Sequence, residues 1–275
     1  MSLVFGRYRA RSGGWARGAS ERRSKPGQPC THGINLRVAK RTSLGGWEGG
    51  CFWTDPWLQR LRRPTMAALL LVPPLLLAMP LAAPVPLRVL GLQVELLAGL
   101  TANLARAEAM IRSHPGYRLY VLPELNCHGY SDAVLSQLDP TRPNQHPAQD
   151  AKTGSITAFF ARLAREVDAH ICYGFLRDAG GGRTCICQAV VDPRGELLVV
   201  YDKMHLCDMG DCSEVGYGCS PGGELGIFDC DGVWVGLTIC YDIRFPELYR
   251  ALAWDAGCDL VLHPAAFIRD ATFPM

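Results

Sequence analysis

The sequence lacks a cysteine framework. It carries 12 cysteines in 275 residues, but Cys185-Ile-Cys187 and the spread Cys207, Cys212, Cys219 match no zinc-finger or ribbon spacing. Reduced thiols in an intracellular compartment are the economical reading. The Cys/His-rich tract from His205 to Cys219 keeps a metal- or redox-binding alternative open, and no metal ligand is assigned. A basic excess is also missing where a fold is expected. Residues 1–63 hold 13 Lys and Arg against Glu21, Glu48 and Asp55, which leaves 15 bases and 23 acids of the chain's 28 and 26 for the remainder. An acidic body argues against nucleic acid as a partner. Missing too is an apolar run that is both long and unbroken. Ala67 to Leu87 follows Arg62-Arg63 and has the ~20 residues needed to cross a bilayer. It contains Pro73, Pro74, Pro80, Pro84 and Pro86, each of which removes a backbone donor and resists helix.

These absences divide the chain into three parts. Residues 1–65 are rich in Arg, Gly, Ser and Trp and sustain no apolar period, the composition of a disordered or targeting arm. Residues 66–86 are an apolar, Pro-rich signal-like segment or a linker. Residues 87–275 form the folded body. The Arg-rich arm points to an organelle such as a mitochondrion or plastid, and the apolar core points to secretion. The compartment stays open between these and the cytoplasm. A start at Met66 is an alternative reading of the first 65 residues.

The body repeats one plan: an apolar strand, an amphipathic helix and another strand, the unit of a parallel sheet. The pattern predicts strands over Leu87–Val94, Leu119–Leu122 and Ile171–Leu176. Leu97, Leu100, Leu104, Ala107 and Ile111 recur at helical spacing, which predicts a helix over Gly99–Ser113. Ile156, Phe159, Phe160, Leu163 and Val167 predict another over Ser155–Ala169. Residues 131–152 are polar, contain Pro140, Pro143 and Pro147, and read as a loop. Thr184–Val191 and Leu197–Tyr201 flank the turn Asp192-Pro-Arg-Gly195 and read as a hairpin. Cys207 to Ser220 is irregular. Gly226–Asp229 and Val233–Ile239 read as strands, Pro246 as a first-turn residue of a helix over Glu247–Asp255, and Leu260–Leu262 as a closing strand.

In such sheets chemistry sits beyond the carboxyl ends of the strands. Three residues occupy that position. Glu124 follows Leu119–Leu122. A lone glutamate is most often a solvated surface residue, but an apolar setting raises a carboxyl pKa and makes it a base near neutral pH. Lys203 follows Leu197–Tyr201. Lysines are usually exposed, yet an ammonium near a reacting carbonyl stabilises an oxyanion and favours a thiolate. Cys240 follows Val233–Ile239. Most buried cysteines are inert packing residues, but a thiol on a sharp strand-to-helix turn is exposed and close to free backbone N–H groups.

The strings LPELNCHGY, YDKMHLCD and GLTICYDIRFPEL around these residues resemble the carbon–nitrogen hydrolase (nitrilase) superfamily, from about Leu87 to Phe273. CYDIRFPE resembles its amidase branch, with omega-amidases and deaminated-glutathione amidases. The Trp-Glu or Gly-Glu pair that follows the cysteine in the nitrile-hydrolysing branch is absent. The resemblance implies an α/β fold, a four-layer αββα sandwich of the nitrilase type. It implies a Glu-Lys-Cys triad that cleaves a linear amide through a Cys240 thioester and releases ammonia. Glu124 is then the base, and Lys203 with the Tyr241 backbone N–H holds the oxyanion. Glu214 falls where many members carry a second glutamate that positions substrate. Members typically have Phe where Cys207 stands. A further Trp-His segment and the remaining strands and helix are expected beyond Met275, so by this measure the fold is truncated at the C-terminus. A homo-oligomer is expected of the full-length protein, and no cofactor is implied, because thiol, carboxylate and ammonium suffice. Arg244 can bind a substrate carboxylate with its planar fork, or pair structurally with Asp242 or Glu247. An inactive or truncated homologue acting as a binding module is the competing reading.

Overall fold

Apolar runs rich in β-branched residues build two sheets. The computed structural model describes residues 2–8, 30–36, 86–94, 96–97, 99–129, 148–209 and 212–268. These belong to one unit, Met1–Leu36 with Pro86–Met275; the second unit, Arg37–Val85, lies outside the described residues. So do 130–147, where a loop is expected, and residues 67–85 of the apolar segment. Among the described residues no helix is long and apolar enough to cross a membrane.

The strands are β1 (Ser2–Tyr8), β2 (Cys30–Leu36), β3 (Leu87–Gln93), β4 (Leu119–Val121), β5 (His170–Asp178), β6 (Thr184–Val191), β7 (Leu197–Asp202), β8 (Asp208–Met209), β9 (Cys212–Ser213), β10 (Gly226–Cys230), β11 (Val233–Leu237) and β12 (Leu260–Ile268). The larger sheet has the order β2-β3-β4-β5-β6-β7 and the smaller one β1-β12-β11-β10. Strands β3, β4 and β5 run parallel, as do β11 and β12. The helices are α1 (Leu100–Ser113), α2 (Ser155–Val167) and α3 (Pro246–Arg250).

Period-two alternation sorts the side chains of the larger sheet. Leu119, Val121, Cys172, Leu176, Ile186 and Val190 face Phe228, Val235, Leu237 and Leu262 of the smaller sheet in one core. The intervening Tyr120, Ile171, Tyr173, Phe175 and Ala189 face the stripes of α1 and α2, including Ile111, Ile156 and Phe160. On β11, Gly236 alternates with the core-facing Val235 and Leu237. A Cβ there would lie 2.9 Å from Leu252 Cδ2, so the segment after α3 packs close on this strand's other face. The result is a mixed α/β fold.

Several expectations are corrected. Two strands, β1 and β2, lie inside the stretch where no element is expected, and they pair with β12 and β3. Backbone pairing at an open strand edge needs no sustained apolar pattern. The helix expected over Glu247–Asp255 is α-helical only as α3 and continues as a π-helical turn, Ala251–Asp255, with Ala256 N–H bonded to Ala251 O. The irregular stretch holds the two-residue pair β8–β9. The closing strand β12 extends well past Leu262.

Candidate active site

Four turns at the carboxyl ends of strands converge. The first carries Glu124, three residues past β4. Its backbone is pinned to β5: Gly174 N–H donates to Asn126 Oδ1 (2.6 Å), Leu176 N–H to His128 Nδ1 (3.2 Å) and Cys127 N–H to Gly174 O (3.1 Å). Leu125 adopts φ +49°, a left-handed conformation that branched residues avoid. Gly174 makes room for this turn, since a Cβ there would meet Leu125 N at 2.7 Å and Pro123 O at 2.8 Å.

The second turn carries Lys203, next after β7, with its N–H on Ile186 O (2.8 Å) and its carbonyl accepting from Gly222 N–H (2.9 Å). The third carries Cys240, which opens a single 3-10 turn, Cys240–Arg244, at φ +44°. The thiol-bearing residue is half-buried rather than exposed as expected. The Tyr241 N–H precedes the first bond of this turn, Asp242 N–H to Ile239 O (2.9 Å), at a position where helices leave backbone donors unpaired. The fourth turn carries Glu214, between β9 and Cys219.

These turns place an ammonium between two carboxylates. Lys203 Nζ donates to Glu124 Oε1 (2.8 Å) and to Glu214 Oε1 (2.7 Å), and all three side chains are fully buried. Glu214 Oε2 accepts from Cys207 N–H (2.7 Å), and Glu124 Oε2 from Ala266 N–H on β12 (2.9 Å). Burial disfavours the Lys203 ammonium, but Glu124, the Cys240 sulfur and Glu214 outweigh it and hold the lysine charged, well above its usual value. Burial raises Glu124; Lys203 opposes that rise and Glu214 adds to it. Burial, followed by the neighbouring Glu124 carboxylate, raises the Cys240 thiol well above an ordinary cysteine, with Lys203 pulling the other way. The resting group is therefore a thiol beside a carboxylate, with a permanent cation adjacent.

The structure thus brings Glu124, Lys203, Glu214 and Cys240 together. Arg244 stands apart from them. It is exposed, its guanidinium lies over the Tyr241 ring at 5.4 Å, and among the described residues it forms neither of the ion pairs considered for it. Asp242 is engaged by Tyr201, His205 and Ile239 instead.

Sequence reasoning missed two further groups. Ala266 contributes through its backbone, so no residue-type pattern marks it. His263 is fully buried, and its Nδ1 contacts Thr238 Oγ1 and Tyr249 OH, both at 2.8 Å. Burial, with Asp242 and Lys203 acting in opposite directions, lowers it to about 4. Its only signal was a polar residue inside an apolar strand. Among the described residues no group of three or more His, Cys, Asp or Glu is arranged to hold a metal ion.

An acid, an ammonium and a thiol at strand ends between two facing sheets define a class, and the family comparison supplies it. The chain belongs to the carbon-nitrogen hydrolase family, whose profile matches residues 89–274. It is a distant relative of omega-amidases: that of Bos taurus is 31% identical over 182 residues, 64% of this chain and 62% of the relative. The chain thus spans less than two thirds of that relative's length. Among solved structures, an amidase from Nesterenkonia sp. is 25% identical with TM-score 0.51, covering 64% of both chains. A carbon-nitrogen hydrolase from Helicobacter pylori, 21% identical with TM-score 0.54, shares the fold over 66% of this chain and 60% of its own.

Proposed function

We propose that the chain hydrolyses the carbon–nitrogen bond of a linear amide through a thioester on Cys240. The observation that carries this reading is the buried Lys203 ammonium held between Glu124 and Glu214 beside the thiol. Glu124 takes the thiol proton as Sγ attacks the amide carbon. Lys203 Nζ and the Tyr241 N–H stabilise the oxyanion. Collapse breaks the C–N bond, Glu124 returns the proton to nitrogen, and ammonia leaves. Water, deprotonated by Glu124, then attacks the thioester, releasing the carboxylic acid and restoring the thiol. Splitting the reaction into acylation and deacylation is the gain of covalent catalysis.

Glu214 serves this reaction by orienting Lys203. Arg244, exposed after the nucleophile turn, is the proposed contact for a carboxylate on the substrate, consistent with the relationship to omega-amidases. The layers of α1 and α2, two facing sheets and α3 correspond, on this reading, to the αββα sandwich of the nitrilase type.

The test is ammonia release from a linear amide with a distal carboxylate and from a neutral amide of equal length. Cys240→Ser abolishes both and removes the acyl-enzyme mass adduct. Arg244→Gln slows the carboxylate-bearing amide more than the neutral one; equal losses remove the carboxylate contact. Binding of the amide without ammonia release from the wild-type chain establishes the binding-module reading instead.

A further inference from the structure

We infer that Asp242 is a positioning residue that locks the Lys203 strand end to the Cys240 turn, holding ammonium and thiol in register across the two sheets. The inference rests on the roles proposed for Lys203 and Cys240. Asp242 is fully buried, and its carboxylate meets four donor positions. Oδ2 accepts from Tyr201 OH (2.7 Å) and Ile239 N–H (2.8 Å). Oδ1 accepts from His205 N–H (3.0 Å) and from His205 Nδ1 (2.8 Å). A carboxylate oxygen acts here as the acceptor, which matches the His205 tautomer with its proton on Nδ1.

Three of the donor positions come from the end of β7 and the fourth from the turn that carries Asp242 itself. Tyr201 and His205 lie two residues before and two after Lys203, at the end of β7 in the larger sheet. Ile239 immediately precedes Cys240 and Asp242 lies two residues after it, where β11 of the smaller sheet gives way to the 3-10 turn. One carboxylate therefore brackets both functional residues. The His205 ring extends the clamp by stacking on Phe245, with centroids 3.6 Å apart and planes 9° from parallel.

Two physical points make this a positioning device. Cys240 sits at φ +44°, a conformation that persists only where surroundings over-determine it. Asp242 supplies that constraint from both sides, since its Oδ2 takes the Ile239 N–H while its own N–H donates to Ile239 O. A carboxylate is also the group the site requires. Asparagine would turn an N–H₂ toward donors and leave part of the set unpaired.

The experiment measures alkylation of Cys240 by iodoacetamide, read on its peptide by mass spectrometry across pH, together with backbone hydrogen exchange over 201–206 and 239–245. The proteins are the full chain, Asp242→Asn and Tyr201→Phe, and the core thiol Cys172, fully buried, reports loss of fold. The groups that act on the Cys240 thiol are Glu124, Lys203 and Glu214. With the tether cut, the ammonium drifts from the sulfur. Alkylation at neutral pH then falls by about tenfold, on the scale of a small misplacement, and its pH midpoint rises. Exchange rises in both segments, and Cys172 stays protected. Tyr201→Phe acts in the same sense with smaller size. An unchanged Cys240 profile in Asp242→Asn, or exchange that rises over 239–245 alone, overturns the inference. If Asp242→Asn exposes Cys172, Tyr201→Phe decides, and a wild-type profile in that variant overturns it. If wild-type Cys240 reacts no faster than the half-buried Cys258, the thioester reading fails. Exchange in the two segments still decides the tether.

Discussion

The two ends of the sheets use the same charge types in opposite surroundings. Where β4 and β11 begin, Arg118 joins the sheets through Asp231 (2.8 Å) and reaches Asp168 beyond α2 (2.9 Å), with these side chains 35%, 41% and 84% exposed. Where the same strands finish, Glu124, Lys203, Glu214 and Asp242 are all fully buried. Exposed pairs are worth up to ~1 kcal/mol and are screened by salt. Buried charges cost several kcal/mol each in lost hydration, which attraction offsets only with good geometry. A fold that keeps four ionisable side chains dry at one end gains little stability from them, and that end is where chemistry is to be sought. The other end holds the sheets together more cheaply.

The widest gap between the ends comes from removing one cation from each. Lys203→Met leaves Glu124 and Glu214 buried without their partner. It is expected to cut ammonia release by about 10²-fold or more and to destabilise the fold by about 3–5 kcal/mol, read by kinetics and denaturant unfolding. A Lys203→Met protein as stable as wild type breaks the comparison.

The next effect is a dependence on pH. His263 titrates near 6.5 unfolded and at about 4 folded. Between those values the unfolded chain binds the extra proton. Stability is therefore complete above pH 6.5 and falls as pH drops toward 4, by about 3 kcal/mol in all. The wild type should lose this increment relative to His263→Gln across that window, and a constant difference between the two would falsify the assignment. Separately, because Glu124 is raised, the acid limb of turnover should lie above the ordinary carboxylate range, with activity lost as pH falls and the base is protonated.

Smaller still is Gly174→Ala. Its new Cβ presses on Leu125 N and Pro123 O and tilts the Glu124 turn. Turnover should fall by about tenfold while the unfolding midpoint moves modestly. A greater loss of stability than of turnover assigns Gly174 to packing alone. Least of all is Arg118→Ala, expected to cost on the order of 1 kcal/mol or less after allowance for solvent and to leave turnover unchanged. A comparable loss of activity there means the two ends are coupled.

Much of this geometry was legible in the sequence, for a physical reason. Each of the strands β4, β7 and β11 reads as a short apolar run, fully buried in β4 and part-buried in β7 and β11, and whatever polar residue follows sits at its carboxyl end. Glu124, Lys203 and Cys240 were located that way, and the amphipathic stripes of α1 and α2 followed from their period. What escaped detection has no local period. The 3-10 turn at Cys240 and the π-helical turn after Arg250 depend on one residue more or less per turn, which composition does not encode. The Asp242 carboxylate serves donors 37 to 41 residues away, while the sequence offered nearby Arg244 as its partner. Strands β1 and β2 join through backbone groups that every residue carries.

The bond from Ala266 N–H to Glu124 Oε2 carries a consequence for inheritance. It fixes one oxygen of the carboxylate, leaving Oε1 to Lys203, yet no side chain at position 266 takes part. Nearly every single-codon change there keeps the donor; only proline, which has no N–H, deletes it. The orientation of this carboxylate is thus stored in the path of the chain: a larger side chain at this buried position acts on it by shifting the backbone that carries the donor, not by replacing a side-chain contact.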